Sequence, residues 1–243
     1  MFDAAPSVDR QAVQTAHASQ VAAAHLATVH YLTPPAAAPE KLPVLPVATS
    51  PAKRSLDFVL ASLALLVFLP LLLVIAIAVR LESRGPALFR QRRTGLNGRV
   101  FTIYKFRTMT VAEDDGDIRH ATKNDARITQ LGLVLRKCSL DELPQLLNIL
   151  RGDMSVVGPR PHAISHDEHY GACIATYGQR FRARPGLTGN AQVQGFRGEV
   201  HELQCMVDRV GADNEYIEHW SLRRDLWIMI CTVPLMFRDP NAY

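Results

Sequence analysis

The chain has 243 residues, 48% of them hydrophobic, and carries 27 Lys and Arg against 23 Asp and Glu for a formal charge of +4. That length allows one ordinary domain with extensions, and a mean hydropathy of +0.01 is too polar for a protein of several membrane crossings. The four cysteines (Cys138, Cys173, Cys205, Cys231) lack Cys-x-x-Cys spacing and the nine histidines lack a His-Glu-x-x-His pattern, so neither a zinc site nor a disulfide framework is signalled.

Residues 1–52 are rich in Ala, Pro, Ser, Thr, Val and His. Pro34, Pro35, Pro39, Pro43, Pro46 and Pro51 punctuate the second half, which leaves little room for a helix or strand. Gln11 to His30 is alanine-rich but has no apolar core followed by a small-residue cleavage site, so the segment reads as a disordered tail and not a signal peptide.

Phe58 to Val79 is a run of uncharged residues of membrane length. As a straight helix it would measure about 33 Å, enough to cross a hydrocarbon core of about 30 Å. Pro70 near its middle removes a backbone donor and crowds the preceding turn. Each arm then spans about half a membrane, so a hairpin that dips and returns is open beside a crossing helix. Lys53 and Arg54 flank one end, Arg80 and Arg84 the other, and a crossing helix would strand one pair outside against the positive-inside tendency.

From Arg80 to Arg107 the basic residues Arg80, Arg84, Arg90, Arg92, Arg93, Arg99, Lys105 and Arg107 stand against one acid, Glu82. Beside an apolar segment, such a cluster suits the anionic cytoplasmic face of a membrane. Nucleic acid is the rival partner, disfavoured because the cluster abuts the apolar segment and lacks a helix-turn-helix or zinc pattern. Within the same stretch, Leu88-Phe89 and Val100 to Tyr104 are β-prone, and Gly95-Leu96-Asn97-Gly98 supplies a turn between short strands. Residues 111–130 are polar and charged and read as a mobile loop ending in a helix that begins near Asp125. Ile128 to Lys137 has helical spacing (Ile128, Leu131, Leu135) and closes with Arg136 and Lys137, cations suited to a helix C-terminus.

Asp141 and Glu142 open the next predicted helix, which runs to Leu150. Ser139-Leu140-Asp141-Glu142 fits a capping box, with acids placed to complement the helix dipole. Pro144 fits better if Asp141 is itself the cap. The functional reading is phosphoryl transfer: an ionised carboxylate attacks phosphorus, and cations neutralise the phosphate oxygens. Lys105, Arg107, Arg151 and Arg160 are available for that, and Gly158-Pro159-Arg160-Pro161 is either a plain turn or a rigid mount for Arg160. His162, His166 and His169 follow it, as phosphate contacts or ordinary surface residues. Further on, Ser221 caps a predicted helix containing Leu226 to Val233, too short to cross a bilayer, which is either interfacial or buried in the core.

Six motifs follow one another in the chain: Lys53-Arg54-Ser55-Leu56-Asp57, Gly85-Pro86-Ala87-Leu88-Phe89-Arg90-Gln91, Lys105-Phe106-Arg107-Thr108-Met109, Ser139-Leu140-Asp141-Glu142-Leu143-Pro144, Gly152-Asp153-Met154-Ser155-Val156-Val157-Gly158-Pro159-Arg160-Pro161, and Arg184-Pro185-Gly186-Leu187-Thr188-Gly189. In that order they resemble the bacterial sugar transferases, the monotopic polyprenyl-phosphate hexose-1-phosphate transferases, over residues 53–243. The resemblance implies transfer of a hexose 1-phosphate from a UDP-sugar to undecaprenyl phosphate with release of UMP, the first membrane step of an exopolysaccharide or capsule. It implies Asp141 as nucleophile through an aspartyl-phosphosugar intermediate, and Glu142 as ligand to Mg2+. Lys105, Arg107, Arg151, Asp153, Arg160, Arg184, Gln192 and Arg197 are the expected substrate- and phosphate-binding residues.

By the same resemblance the membrane element is a re-entrant helix broken at Pro70. The expected fold is mixed α/β and helix-rich: a tail (1–52), the re-entrant helix (53–81) and a catalytic domain (82–243) with interfacial helices. That domain faces the cytoplasm from the bacterial inner membrane and its lipid, and whether it forms a homo-oligomer is open. Two departures stand out. Many members carry Gly-Trp-Ala-Gln where this chain has Gly189-Asn190-Ala191-Gln192, and the crossing helices of longer relatives are absent, as in the short form. Pro161-His162-Ala163, Gly195-Phe196-Arg197-Gly198-Glu199 and the terminal Asn241-Ala242-Tyr243 look most like glucose-transferring members. UDP-glucose is therefore the expected donor, with UDP-galactose or a UDP-N-acetylhexosamine as alternatives. A non-catalytic membrane adaptor is the rival of another class.

Overall fold

The computed structural model describes residues 45–110, 125, 127–196 and 202–238. Most of the expected tail, the 111–124 part of the polar loop, and Arg197 lie outside the described residues. The last part of the expected tail is ordered: Pro46–Thr49 forms a short helix, α1, with Val47 buried. The long helix α2 then runs Pro51–Glu82, beginning and ending just outside the expected limits. Ser50 accepts a side-chain hydrogen bond from the Lys53 N–H at 3.3 Å, and Pro51 sits at the first position, where its missing donor costs nothing.

α2 is helical through Pro70 and is long and apolar enough to cross a membrane. Its buried residues fall in two groups, Lys53, Asp57 and Ala61 in the first arm and Leu72, Ile75 and Val79 in the second. Between them Leu63, Leu66, Val67, Phe68, Leu69 and Leu71 are exposed. Ala61, Leu72, Ile75 and Val79 share one core with Ile103, Phe106, Leu143, Leu146 and Ile149, so both arms pack against the same domain.

The expected strands are present. β1 (Leu88–Thr94) pairs antiparallel with β2 (Val100–Phe106), Leu88 opposite Phe106 and Thr94 opposite Val100. The turn uses the residues that tolerate positive φ, Asn97 at 53° and Gly98 at 74°. Helix α3 is Gln130–Lys137, with Thr129 as cap accepting from the Gly132 N–H at 3.0 Å. A side chain at position 132 would overlap the Thr108 carbonyl, so glycine is what lets α3 lie against the end of β2.

The expected helix from Asp141 to Leu150 is in fact two pieces, a 3-10 helix over Leu140–Gln145 and α4 over Leu146–Arg151. The capping box does not form. Ser139 adopts φ 57°, ψ 19°, a left-handed conformation that makes no side-chain cap. Pro144, which has no N–H to give an α-helical ladder, lies inside the tighter 3-10 turn.

A second small sheet was not legible in the sequence. β3 (Ser155–Val157) runs parallel to β4 (Gly186–Thr188), and it carries the Gly158-Pro159-Arg160-Pro161 loop. Cβ atoms at Gly158, Gly186 or Gly189 would each overlap backbone of the opposite segment, which explains the glycines of both motifs. Helices α5 (Ile164–Cys173), α6 (Asn190–Val193), α7 (Leu203–Glu218) and α8 (Leu222–Arg238) complete the fold. Ser221 caps α8 as expected, accepting from the Arg224 N–H at 3.2 Å. Asp225 and Ile228 of α8 are buried, while Leu226, Trp227, Ile230 and Val233 form an exposed apolar stripe, so the helix is core on one side and open on the other.

Candidate functional site

The chain reverses between α3 and the 3-10 helix through the strained φ of Ser139, and this places Asp141 and Glu142 against β2. Both carboxylates are nearly buried, Asp141 at 9% and Glu142 at 8% exposure. Lys105 of β2 donates to Glu142 Oε1 at 2.8 Å. Arg160, delivered by the loop after β3, donates to Oε1 at 2.6 Å and to Oε2 at 3.2 Å. Burial would raise the Glu142 pKa, but the Arg160 and Lys105 charges and hydrogen bonds outweigh it and hold the carboxyl well below its usual range.

Asp141 differs. No side chain among the described residues donates a hydrogen bond to its carboxylate. Burial first, and the neighbouring Glu142 charge second, push its pKa up, against the opposing charges of Lys105, Arg136 and Arg160. An anionic oxygen with its lone pairs open, kept short of full stabilisation, is what a nucleophile requires.

Arg136 is a residue that sequence reasoning missed, because a cation in the last turn of a helix is already explained by the dipole. Its Nε donates to Thr108 Oγ1 at 3.1 Å and one terminal nitrogen lies 3.7 Å from Met109 Sδ, while the other is buried with no hydrogen-bond partner among the described residues. The signal available in the sequence was its place five residues before Asp141, across a tight reversal.

The structure gives the other expected site residues the following surroundings. Arg107 donates to the carbonyls of Val79, Ser83 and Arg84 and so caps the C-terminal end of α2, which occupies its fork. Arg184 donates to Gly152 O at 3.0 Å and to Ala48 O at 2.7 Å, tying α1 to the loop after α4. Asp153 lies 3.3 Å from Asn148 Nδ2 and belongs to that same loop. Arg151 bonds the Tyr104 hydroxyl and lies 5.0 Å over its ring, on the surface. Gln192 is buried with Oε1 lacking a partner among the described residues. Asn190 turns toward α7, donating to Ala212 O at 2.9 Å, so it packs a helix and leaves no stacking surface at that position.

His162 is neither a surface residue nor a free phosphate ligand. It lies beneath the Arg160 loop, where Arg180 bonds its Nδ1 at 2.6 Å, Asp213 at 2.9 Å and the Arg160 carbonyl at 2.6 Å. Burial first and then the Arg180 charge hold its pKa well below the ordinary value, so the ring is neutral at pH 7. The network fixes the loop from behind.

No group of three or more His, Cys, Asp or Glu able to cage a metal exists among the described residues. Glu142 Oε2 accepts one hydrogen bond and keeps a lone pair, and the Asp141 carboxylate beside it is open. That donor set fits a hard cation which draws its remaining ligands from water and substrate phosphates, the habit of magnesium.

The chain is similar to known proteins over most of its length. The family model for bacterial sugar transferases matches residues 48–239. The chain is 54% identical over 201 residues to the UDP-glucose:undecaprenyl-phosphate glucose-1-phosphate transferase of Caulobacter vibrioides, covering 83% of this chain and 75% of that one. It is 46% identical to the protein of the same name in Escherichia coli, over 83% of this chain but only 45% of that longer one. An exopolysaccharide production protein of Rhizobium leguminosarum bv. phaseoli is 43% identical, over 74% of this chain and 92% of that protein. With motif order, carboxylate pair and family match in agreement, the chain belongs to the bacterial sugar transferase family.

Proposed function

We propose that the protein transfers glucose 1-phosphate from UDP-glucose to undecaprenyl phosphate, releasing UMP, as the step that starts an exopolysaccharide. The observation that carries this reading is the contrast within one pair of acids: Glu142 is neutralised by two cations, while Asp141 is buried and bare. In the first step an Asp141 carboxylate oxygen attacks the phosphorus that bears the sugar. An aspartyl–phosphorus bond forms, the bond to the bridging diphosphate oxygen breaks, and UMP leaves with that oxygen. A phosphate oxygen of the polyprenyl acceptor then attacks the same phosphorus and regenerates the carboxylate. Arg160, Lys105 and Arg136 offset the phosphate charge during both displacements. Magnesium, held by Glu142, would add charge neutralisation of the diphosphate.

The donor is taken from the names of the two glucose-1-phosphate transferases, since Arg197 and Glu199 lie outside the described residues. The membrane reading is a re-entrant α2. Arg54 in the first arm donates to the carbonyls of Ile149 and Leu150, while Arg107 grips Val79 and Ser83 in the second, so both arms are tied to one domain. A straight α2 would be about 48 Å long, and a crossing helix would have to carry one of those ties across the bilayer. The open stripe on α8, with Trp227 in it, suits lipid at the interface. The catalytic domain then lies on the cytoplasmic face.

The test is UMP release by the full chain in lipid nanodiscs, with a panel of UDP-sugars and undecaprenyl phosphate. Release that needs the acceptor, favours UDP-glucose and requires magnesium is the expected result. No release with any donor would leave the adaptor reading standing. For the helix, cysteines placed at positions 50 and 83 in a cysteine-free background should label from the same side, and labelling from opposite sides would reject re-entrance.

A further inference from the structure

Arg160 reaches Glu142 only because its loop is held in place, and part of what holds the loop is the membrane helix. Lys53 and Asp57 lie one turn apart near the start of α2, and both are buried, at 5% and 3% exposure. The Lys53 ammonium donates to the Val157 carbonyl at 3.0 Å, the Tyr216 hydroxyl at 3.1 Å and Asp225 Oδ2 at 2.8 Å. Tyr216 itself donates toward Asp225 Oδ1 at 2.6 Å, and Trp220 donates to Oδ2 at 3.0 Å. Asp57 Oδ1 accepts from Ser155 Oγ and from the Val156 N–H, both at 2.9 Å. Every residue of β3 is therefore bonded by one of these two side chains, and β3 leads directly into Gly158-Pro159-Arg160-Pro161.

We infer that Lys53 and Asp57 are positioning residues for Arg160, so that the first turns of the membrane helix set the geometry of the active-site cation. A lysine and an aspartate flanking a membrane segment are ordinarily explained by lipid headgroups or water. Here neither is available to them. Their charges are spent on the backbone and side chains of a three-residue strand and on the helices behind it. The inference rests on the reading that Arg160 and Glu142 belong to the catalytic site.

The experiment measures kcat and KM for UMP release with radiolabelled UDP-glucose, on the full chain in nanodiscs, normalised to folded protein by thermal melting. Two alterations are used, Asp57→Ala and the paired Lys53→Met/Asp225→Asn, which leaves no charge buried alone. Each is made with Arg160 intact and in an Arg160→Ala background. With Arg160 intact, kcat should fall about tenfold or more while KM for UDP-glucose stays within about twofold. In the Arg160→Ala background, the further fall should be under about twofold, because the positioned group is gone. Asp57→Asn keeps an acceptor for Ser155 and Val156 and should return activity to within about threefold of the unaltered protein. A full, independent fall in the Arg160→Ala background would overturn the inference while leaving the site intact. Unchanged turnover in Arg160→Ala alone would overturn the reading of the site, and the inference with it. If the paired variant does not fold, Asp57→Ala decides the matter.

Discussion

Two buried charges in this protein are treated in opposite ways. The Lys53 ammonium has three acceptors and its partner Asp225 has three donors, so each charge removed from water is matched. Asp141 is about as deeply buried and has no donor among the described side chains. The first arrangement holds the structure together, because an unmatched charge there would be costly. The second leaves an anion under-stabilised, as the proposed attack on phosphorus requires. A matched charge reports architecture, and an unmatched one, beside cations that stop short of pairing with it, reports chemistry.

Breaking each member should separate activity from stability. Asp141→Asn should lower turnover by about 10³-fold or more, since an amide cannot form the acyl phosphate. The same substitution should leave stability unchanged or raise it by about 1 kcal/mol, because it relieves the repulsion with Glu142; thermal unfolding in detergent checks this. Lys53→Met alone should do the reverse to the fold, costing about 3–5 kcal/mol by leaving Asp225 buried without its cation. Equal destabilisation by both variants would erase the distinction.

A middle-sized effect is expected at the glycines that seat the Arg160 loop. Gly186→Ala puts a methyl into the Gly158 backbone. Overpacking there should cost about 1–3 kcal/mol of stability and lower kcat more than it raises KM. Gly211→Ala, inside α7 with open space around it, serves as the control: it should leave kcat and KM unchanged and raise stability by about 0.5–1 kcal/mol.

The smallest expected effect is on pH. As the proposed nucleophile, Asp141 would attack only when ionised, and its pKa is raised by burial and by Glu142. As pH falls, the reactive form is therefore lost earlier than for an ordinary aspartate, whose pKa is about 3.9. The acid limb of kcat/KM should lie clearly above that value and should move toward it when Glu142→Gln removes the neighbouring charge. A limb at or below about 4 would contradict the assignment.

Local signals in the sequence account for the elements that local physics decides. The β1–β2 turn follows from Asn97 and Gly98, and α3 from its apolar spacing and terminal cations. The carboxylate pair was visible because two acids at a helix start before a Gly-Pro-Arg loop form an unusual combination. The β3–β4 pair was not, since strands of three residues are specified by the close backbone approach of three glycines from distant segments. The basic cluster was the least legible part. Lys105 and Arg107 lie two apart, one near the end of β2 and one just past it, yet one reaches Glu142 and the other caps α2. Composition counts their charges alike, and only the packed structure says which carbonyls or carboxylates each one meets.

The central claim, that Asp141 takes the sugar phosphate onto itself, is tested most directly by intact mass. Full-length protein in nanodiscs would be incubated with UDP-glucose and magnesium, without the polyprenyl acceptor, and quenched. The protein should gain a glucose phosphate, located by peptide mapping to Asp141, lost on addition of undecaprenyl phosphate and absent from Asp141→Asn. An unmodified enzyme that nonetheless turns over when the acceptor is present, or an adduct that persists in Asp141→Asn, would contradict the claim.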